Sequence, residues 1–302
     1  MKYMAVDWGS SRFRAWLIDE SGRIMDRKDS DDGLKFVNSR KFSETLADNC
    51  GDWMRAHPHA PVIMCGMVGS KTGWFETPYL DCPLDLDRLV AAAYRFDIGT
   101  HPAAIIPGAV CRSDAGHYDV MRGEELQILG SLADEMPENA VICIPGTHCK
   151  WVEMRDGHLQ NFRSYITGEL FALLRNNSLV GALAEGDAYC EATFLQGVTH
   201  GARNATANAV FSARADVLNG QLAPQNASSF LSGTLIGTEI ATEQQGMSGT
   251  DVILLASGPQ AQLYQVALAH CGLTPQMRDA KGATLAGLSA AAQALWPSTA
   301  AA

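Results

Sequence analysis

At 302 residues, with 47% hydrophobic and 19% charged side chains, the chain has the make-up of a globular protein of one or two domains. Twenty-three basic against 33 acidic residues give a formal charge of −10, which argues against nonspecific nucleic-acid binding but not against a small anion held by local donors. The eight cysteines form no C-x-x-C pair and no run is long enough to span a bilayer, so buried reduced thiols in a cytoplasmic protein are expected.

In chain order, Tyr3–Asp7 reads as a buried strand, Phe13–Ile18 as its partner and Arg23–Lys28 as a third strand after a Glu20-Ser-Gly22 turn. Apolar residues at Phe42, Leu46, Cys50 and Trp53 predict an amphipathic helix. Residues 60–65 form a strand that opens into the Gly-rich stretch 66–73. Trp74 to Pro83 is then a long loop, of the kind that lines ligand sites. An apolar segment spans 103–110, and Met121 to Ala133 has helix character.

Val141–Ile144, Lys150–Met154 and His158–Tyr165 read as three strands, the first two joined by the tight turn Pro145-Gly-Thr-His148. Helices are expected at Glu169–Arg175, Tyr189–Asn204 and Ser228–Thr242. A strand at Asp251–Ala256 leads through Ser257-Gly-Pro259 into a helix at Gln260–His270, and an Ala-rich helix runs from about Lys281 to Leu295 before a frayed tail.

The two strand–turn–strand units echo one another when Gly9 is aligned with Gly146. Each has a Gly-plus-hydroxyl turn, a strand, a Gly turn, then a basic and an aliphatic residue. Asp7-x-Gly-Ser-Ser-x-x-Arg14 carries the residue types of a phosphate and metal site: a carboxylate for Mg²⁺, small residues that let backbone N–H groups approach an anion, and a guanidinium. In isolation it reads better as an ordinary hairpin whose Asp makes a turn hydrogen bond. Gly66 to Thr72 lacks the glycine spacing of a Walker loop. Gly123-Glu124-Glu125 opens a helix, where acids favour the dipole or serve as a general base for a hydroxyl. Gly258, in a strand–turn–helix junction, fits under an adenosine or simply turns the chain. Among the histidines, His148 alone lies inside a candidate phosphate turn.

These parts together resemble the actin, hexokinase and sugar-kinase superfamily. Within it, the whole chain is similar to the 2-dehydro-3-deoxygalactonokinases. The resemblance is carried by Asp7-Trp-Gly-Ser-Ser11, by Cys65-Gly-Met-Val-Gly-Ser-Lys-Thr-Gly-Trp74 with Pro78-Tyr79, by Asp119-Val-Met-Arg-Gly-Glu-Glu125, by Pro145-Gly-Thr-His148 with Lys150-Trp151, and by Thr167-Gly-Glu-Leu-Phe171. Glu124 stands where glycerol kinases carry an Asp base.

The resemblance implies an α/β fold of two actin-like (ribonuclease H-like) domains, each a mixed sheet with flanking helices, with the active site in the cleft between them. The first domain would comprise 1–118 with 281–302, and the second 119–280. It implies ATP-dependent phosphorylation of 2-dehydro-3-deoxy-D-galactonate at the 6-hydroxyl, with ATP and Mg²⁺ as cofactors, and leaves a homodimer open. Glu124, or else its neighbour Glu125, would be the base, and Asp7 would hold the metal. Gly9, Ser10, Ser11 and Arg14 would clamp phosphates together with Gly146, Thr147 and His148. Ser257 and Gly258 would receive adenosine, while Ser70, Lys71 and Trp74 would meet the sugar acid. Two other readings stay open: a kinase of a different sugar or sugar acid, and a non-catalytic actin-like ATP-binding module.

Overall fold

The computed structural model describes residues 1–37, 41–113, 115–132, 137, 139–247 and 251–297. The end of the expected helix at Ala133 and the tail from residue 298 lie outside the described residues. The chain divides into two compact units. The first comprises Met1–Glu138, Arg155–Asn161 and Asp279–Ala302, and the second Asn139–Met154 and Phe162–Arg278.

The first unit opens with β1 (Tyr3–Trp8), β2 (Phe13–Ile18) and β3 (Ile24–Ser30), a short α1 (Leu34–Val37) and α2 (Phe42–Ala56). Then come β4 (Val62–Cys65), β5 (Tyr79–Asp81), α3 (Leu86–Ala91), β6 (Tyr94–Ile98), β7 (His101–Ile105), β8 (Gly108–Arg112), β9 (Tyr118–Met121) and α4 (Glu124–Ser131). Six strands make one sheet in the order β3-β2-β1-β4-β7-β6, and β5-β8-β9 form a smaller one. All six residues of β1 are buried, as its central place between antiparallel β2 and parallel β4 requires. On one face of the strand Met4, Val6 and Trp8 pack with Phe13, Leu46, Trp53, Val62 and Ile105 into one core.

The second unit contains β10 (Asn139–Ile144), β11 (Cys149–Arg155), β12 (His158–Tyr165), α5 (Thr167–Asn177), α6 (Glu191–Arg203), α7 (Thr206–Leu218), α8 (Ala227–Gln244), β13 (Asp251–Ala256), α9 (Pro259–His270) and β14 (Gln276–Asp279). Its sheet order is β12-β11-β10-β13-β14. The first strand of each unit therefore has a two-strand meander on one side and a parallel partner on the other, β4 for β1 and β13 for β10. The sequence echo at Gly9 and Gly146 falls at the same point of both sheets, the turn after the first strand.

The last helix, α10 (Ala280–Leu295), returns to the first unit and lies on α4. The contact is backbone against backbone: a Cβ on Gly130 would come within 2.8 Å of the Gly287 Cα, and one on Gly287 within 2.7 Å of the Leu126 carbonyl carbon. This packing keeps α4 with the first unit. The tip of the β11–β12 hairpin belongs there too, since Leu159 and Leu84 exchange backbone hydrogen bonds of 2.8 and 3.0 Å. Among the described residues no helix is long and apolar enough to cross a membrane.

Candidate active site

In the first unit, the ends of β1 and β4 and the start of α4 converge on Gly66. Gly66 has φ +89°, a conformation that L side chains rarely adopt. A Cβ there would lie 2.9 Å from the Trp8 carbonyl oxygen and 3.4 Å from Asp7 Oδ1. On its other side a Cβ on Gly123, itself at φ +106°, would lie 3.2 Å from the Gly66 Cα. Two glycines thus let the strand end that carries Asp7 approach the helix start that carries Glu124 and Glu125.

The two glutamates are sorted by helix phase. Glu125 is fully buried, and both its carboxyl oxygens accept from the Gly123 N–H, at 2.7 and 2.9 Å. Burial, reinforced by the negative charge of Glu124, pushes its pKa up to about 8. Glu124 is half-buried and accepts from the Arg122 N–H at 3.1 Å through one oxygen. One of the pair keeps its proton at neutral pH and the other faces outward, the division of labour that adjacent acids adopt when their environments differ.

Asp7 is 9% exposed and pairs with Arg14, its register partner across β1 and β2. Burial raises its pKa, against the pull of the Arg14 charge. Arg14, expected on a nucleotide phosphate, turns one guanidinium nitrogen to Asp7 and is partly exposed. No group of three or more His, Cys, Asp or Glu side chains able to hold a metal occurs among the described residues. A single carboxylate fits Mg²⁺, which keeps waters and takes its remaining ligands from substrate phosphates, and does not fit a metal caged by protein.

The first Gly turn offers fewer donors than expected. The Gly9 N–H is spent inside the turn on the Arg12 carbonyl at 2.9 Å, and the Gly9 and Ser10 carbonyls accept from Leu34 and Lys35, each at 3.0 Å. The N–H groups of Ser10, half-buried, and Ser11, exposed, remain unpaired among the described residues. The 66–73 loop is divided as well. Ser70 is buried, its hydroxyl 3.4 Å from that of Thr72, and Lys71 is exposed. Trp74, expected as a wall for the substrate, is held in an aromatic cluster, stacked with Phe42 and Phe75 and edge-on to Trp8 and Phe96. The ring is half-buried and packs against the core through these contacts.

In the second unit, Gly146, Thr147 and His148 form the turn between β10 and β11, with Thr147 and His148 exposed. The start of α5 backs onto this turn. The Glu169 N–H donates to the Thr147 carbonyl at 3.0 Å, and a Cβ on Gly168 would lie 3.0 Å from the Thr147 Cα. His148 Nε2 lies 2.6 Å from Glu169 Oε2. Beneath the turn, Glu239 of α8 is 2% exposed and accepts from Trp151 Nε1 at 2.7 Å, from the Tyr264 hydroxyl at 3.1 Å and from the Thr167 hydroxyl. Gly258, at φ +71°, caps α9 and is exposed, with open space where a Cβ would stand; Ser257 precedes it, half-buried.

Two cations were missed from sequence. Arg122 is 8% exposed in the first unit, and Lys150 is 5% exposed on β11, just past the second turn. Both stand inside motifs already singled out, beside Gly123 and after His148; their burial is the property that sequence alone does not display.

A family described as 2-keto-3-deoxy-galactonokinase matches residues 7–291. The chain belongs to that family. The Rhizobium meliloti (strain 1021) protein DgoK1, named as a probable 2-dehydro-3-deoxygalactonokinase, is 39% identical over 98% of each chain. The 2-dehydro-3-deoxygalactonokinase of Escherichia coli (strain K12) is 35% identical over 85% of each. A crystal structure of a Sinorhizobium meliloti protein given the same provisional name superposes with a TM-score of 0.92, at 38% identity, covering 98% of this chain and 99% of that one. The activator of 2-hydroxyisocaproyl-CoA dehydratase from Clostridium difficile, solved with bound ADPNP, shares the fold at a TM-score of 0.52 and 11% identity, with full coverage of both chains. This member of the 2-keto-3-deoxy-galactonokinase family is thus a sugar-acid kinase with the actin-like α/β fold of mixed sheets and flanking helices.

Proposed function

We propose that this chain transfers the γ-phosphoryl group of ATP to the 6-hydroxyl of 2-dehydro-3-deoxy-D-galactonate, forming the 6-phospho product in cytoplasmic galactonate breakdown. The observation that carries the reading is the Gly66 junction, where a half-exposed carboxylate on α4 is brought to the buried Asp7 at the end of β1.

Glu124 accepts the proton of the substrate hydroxyl as its oxygen attacks phosphorus. It is the accessible member of the pair, while Glu125, buried and protonated, holds the Gly123 N–H and fixes the start of the helix. Asp7 would hold Mg²⁺, directly or through water, and the ion would neutralise charge on the phosphates. The free N–H groups of Ser10 and Ser11 and the exposed turn at Thr147 and His148 supply phosphate donors, and Gly258 leaves room for the adenosine. Phosphoryl transfer rests chiefly on positioning and charge neutralisation, so this short set of groups is sufficient. Ser70 and Lys71 are candidates for contacts to the sugar acid.

The test is ADP release by the purified protein with ATP, Mg²⁺ and a panel of sugars and sugar acids, repeated with Glu124→Gln. The expected result is release stimulated by 2-dehydro-3-deoxy-D-galactonate above every other acceptor, and loss of about 10²–10⁴-fold in kcat in the variant. Release that no acceptor stimulates would leave a nucleotide-binding module. A stronger response to another acceptor would reassign the substrate, and near-normal turnover by the variant would remove Glu124 from the base role.

A further inference from the structure

Arg122 is buried in the first unit without a counter-ion. Its Nη2 donates to the Thr77 carbonyl at 2.9 Å, Nη1 donates to the Thr77 hydroxyl, and the guanidinium lies 4.3 Å from the centre of the Tyr79 ring. Nε is buried with no acceptor, and no carboxylate among the described residues forms an ion pair with the group. Of the two neighbouring acids, Glu125 turns both carboxyl oxygens to the Gly123 N–H and Glu124 accepts from the Arg122 backbone N–H. Taking an unpaired cation out of water is costly, and proteins normally supply the opposite charge. Two of the five N–H donors are engaged by Thr77, which leaves part of the planar fork for an acceptor.

The position of this uncompensated charge is informative. Arg122 immediately precedes Gly123 and the base Glu124, and its Nη1 would be 3.0 Å from a Cβ on Gly69, inside the 66–73 loop. The Tyr79 ring that stacks on it is 41% exposed. We propose that Arg122 is the specificity residue for the sugar acid's C1 carboxylate: the anion that the protein omits is brought by the substrate. The assignment rests on a sugar acid being the ligand. It explains how a kinase site could favour an acid over the corresponding neutral sugar, because without the carboxylate the guanidinium stays buried and unpaired.

The experiment measures equilibrium binding by calorimetry, without ATP, of 2-dehydro-3-deoxy-D-galactonate and of its C1 primary amide. Wild type, Arg122→Met and Arg122→Lys are compared, with melting curves as a fold control. Wild type is expected to bind the acid about ten- to a hundredfold more tightly than the amide. Met should bring that ratio near one, and Lys, a point charge without the fork, should lower it several-fold. If Arg122 only ties the loop at Thr77 in place, Met weakens both ligands equally and the ratio is unchanged, which overturns the proposal. A wild type without preference for the acid also overturns it. Should the Met variant not fold, an unchanged ratio in the Lys variant does the same. A wild type that prefers the acid but releases no ADP with it would sink the kinase reading and leave this assignment standing, and a wild type that binds neither ligand would sink both.

Discussion

Gly66 and Gly123 meet backbone to backbone, and a single methyl group on Gly123 would stand 3.2 Å from the Gly66 α-carbon. The junction tolerates no side chain on either partner, because both also hold positive φ. Gly66→Ala is expected to lose about 2 kcal/mol or more of stability, from left-handed strain plus the 2.9 Å approach to the Trp8 carbonyl. It should also lose about a hundredfold in kcat as Asp7 and Glu124 are pushed apart. Urea denaturation and ADP release check the two effects, and a variant with wild-type values in both would show that the junction has slack.

Glu125 makes stability depend on pH. Its folded-state pKa of about 8 lies above the ordinary 4.5, so the folded chain keeps a proton that the unfolded chain releases. The resulting contribution is complete below pH 4.5 and is lost as the pH rises through 8. Glu125→Gln removes this slope. Its stability relative to wild type should rise by a few kcal/mol, at about 1.4 kcal/mol per pKa unit, between pH 5 and pH 9. Urea midpoints at four pH values test this, and a constant difference would mean that Glu125 is ionised in the folded protein.

Glu239 gathers three donors beneath the second turn. Glu239→Leu strands the Trp151 indole, the Tyr264 hydroxyl and the Thr167 hydroxyl, at an expected cost of about 3–5 kcal/mol. Thr167 begins the helix whose Gly168 supports Gly146 and Thr147. The milder Glu239→Gln should therefore raise KM for ATP about tenfold with little change in KM for the sugar acid. Equal changes in both constants would mean that the cluster serves stability alone.

Cys190 should be the first thiol to react. It is half-exposed, and hydrogen bonds centred on Thr193 lower its pKa. Burial raises the pKa of Cys50, Cys65, Cys82, Cys143, Cys149 and Cys271. Iodoacetamide at neutral pH is expected to add one group to the native protein by mass spectrometry and none to Cys190→Ser. Early labelling at any other position would contradict this ordering of the thiols.

The strands β1 to β4 and β10 to β13 and both Gly turns were legible in the sequence because apolar runs bounded by glycine admit few alternatives. The helix at 206–218 was not. It buries only Ala209 and Ala213 and leaves Phe211 and Leu218 exposed, so no apolar stripe marks it. β14, α3 and β6 are short and carry no run long enough to announce them. At the site, Glu124 and Glu125 stayed tied because only the phase of α4 against its neighbours separates them. The packing of Trp74 against Phe42 and Phe96 was hidden because an aromatic beside a Gly-rich loop looks alike in sequence whatever it touches. Arg122 was in view throughout but looked like any charged residue, since lacking a counter-ion is a tertiary property.

The glycine-to-glycine seam between α4 and α10 joins residues about 150 positions apart. A nascent chain that has reached residue 279 already contains Glu124, Asp7 and both turns, yet the face of the base helix that α10 will cover is still open to water. A chain that ends before α10 would therefore carry Asp7, Glu124 and both turns on an α4 that has lost its packing partner.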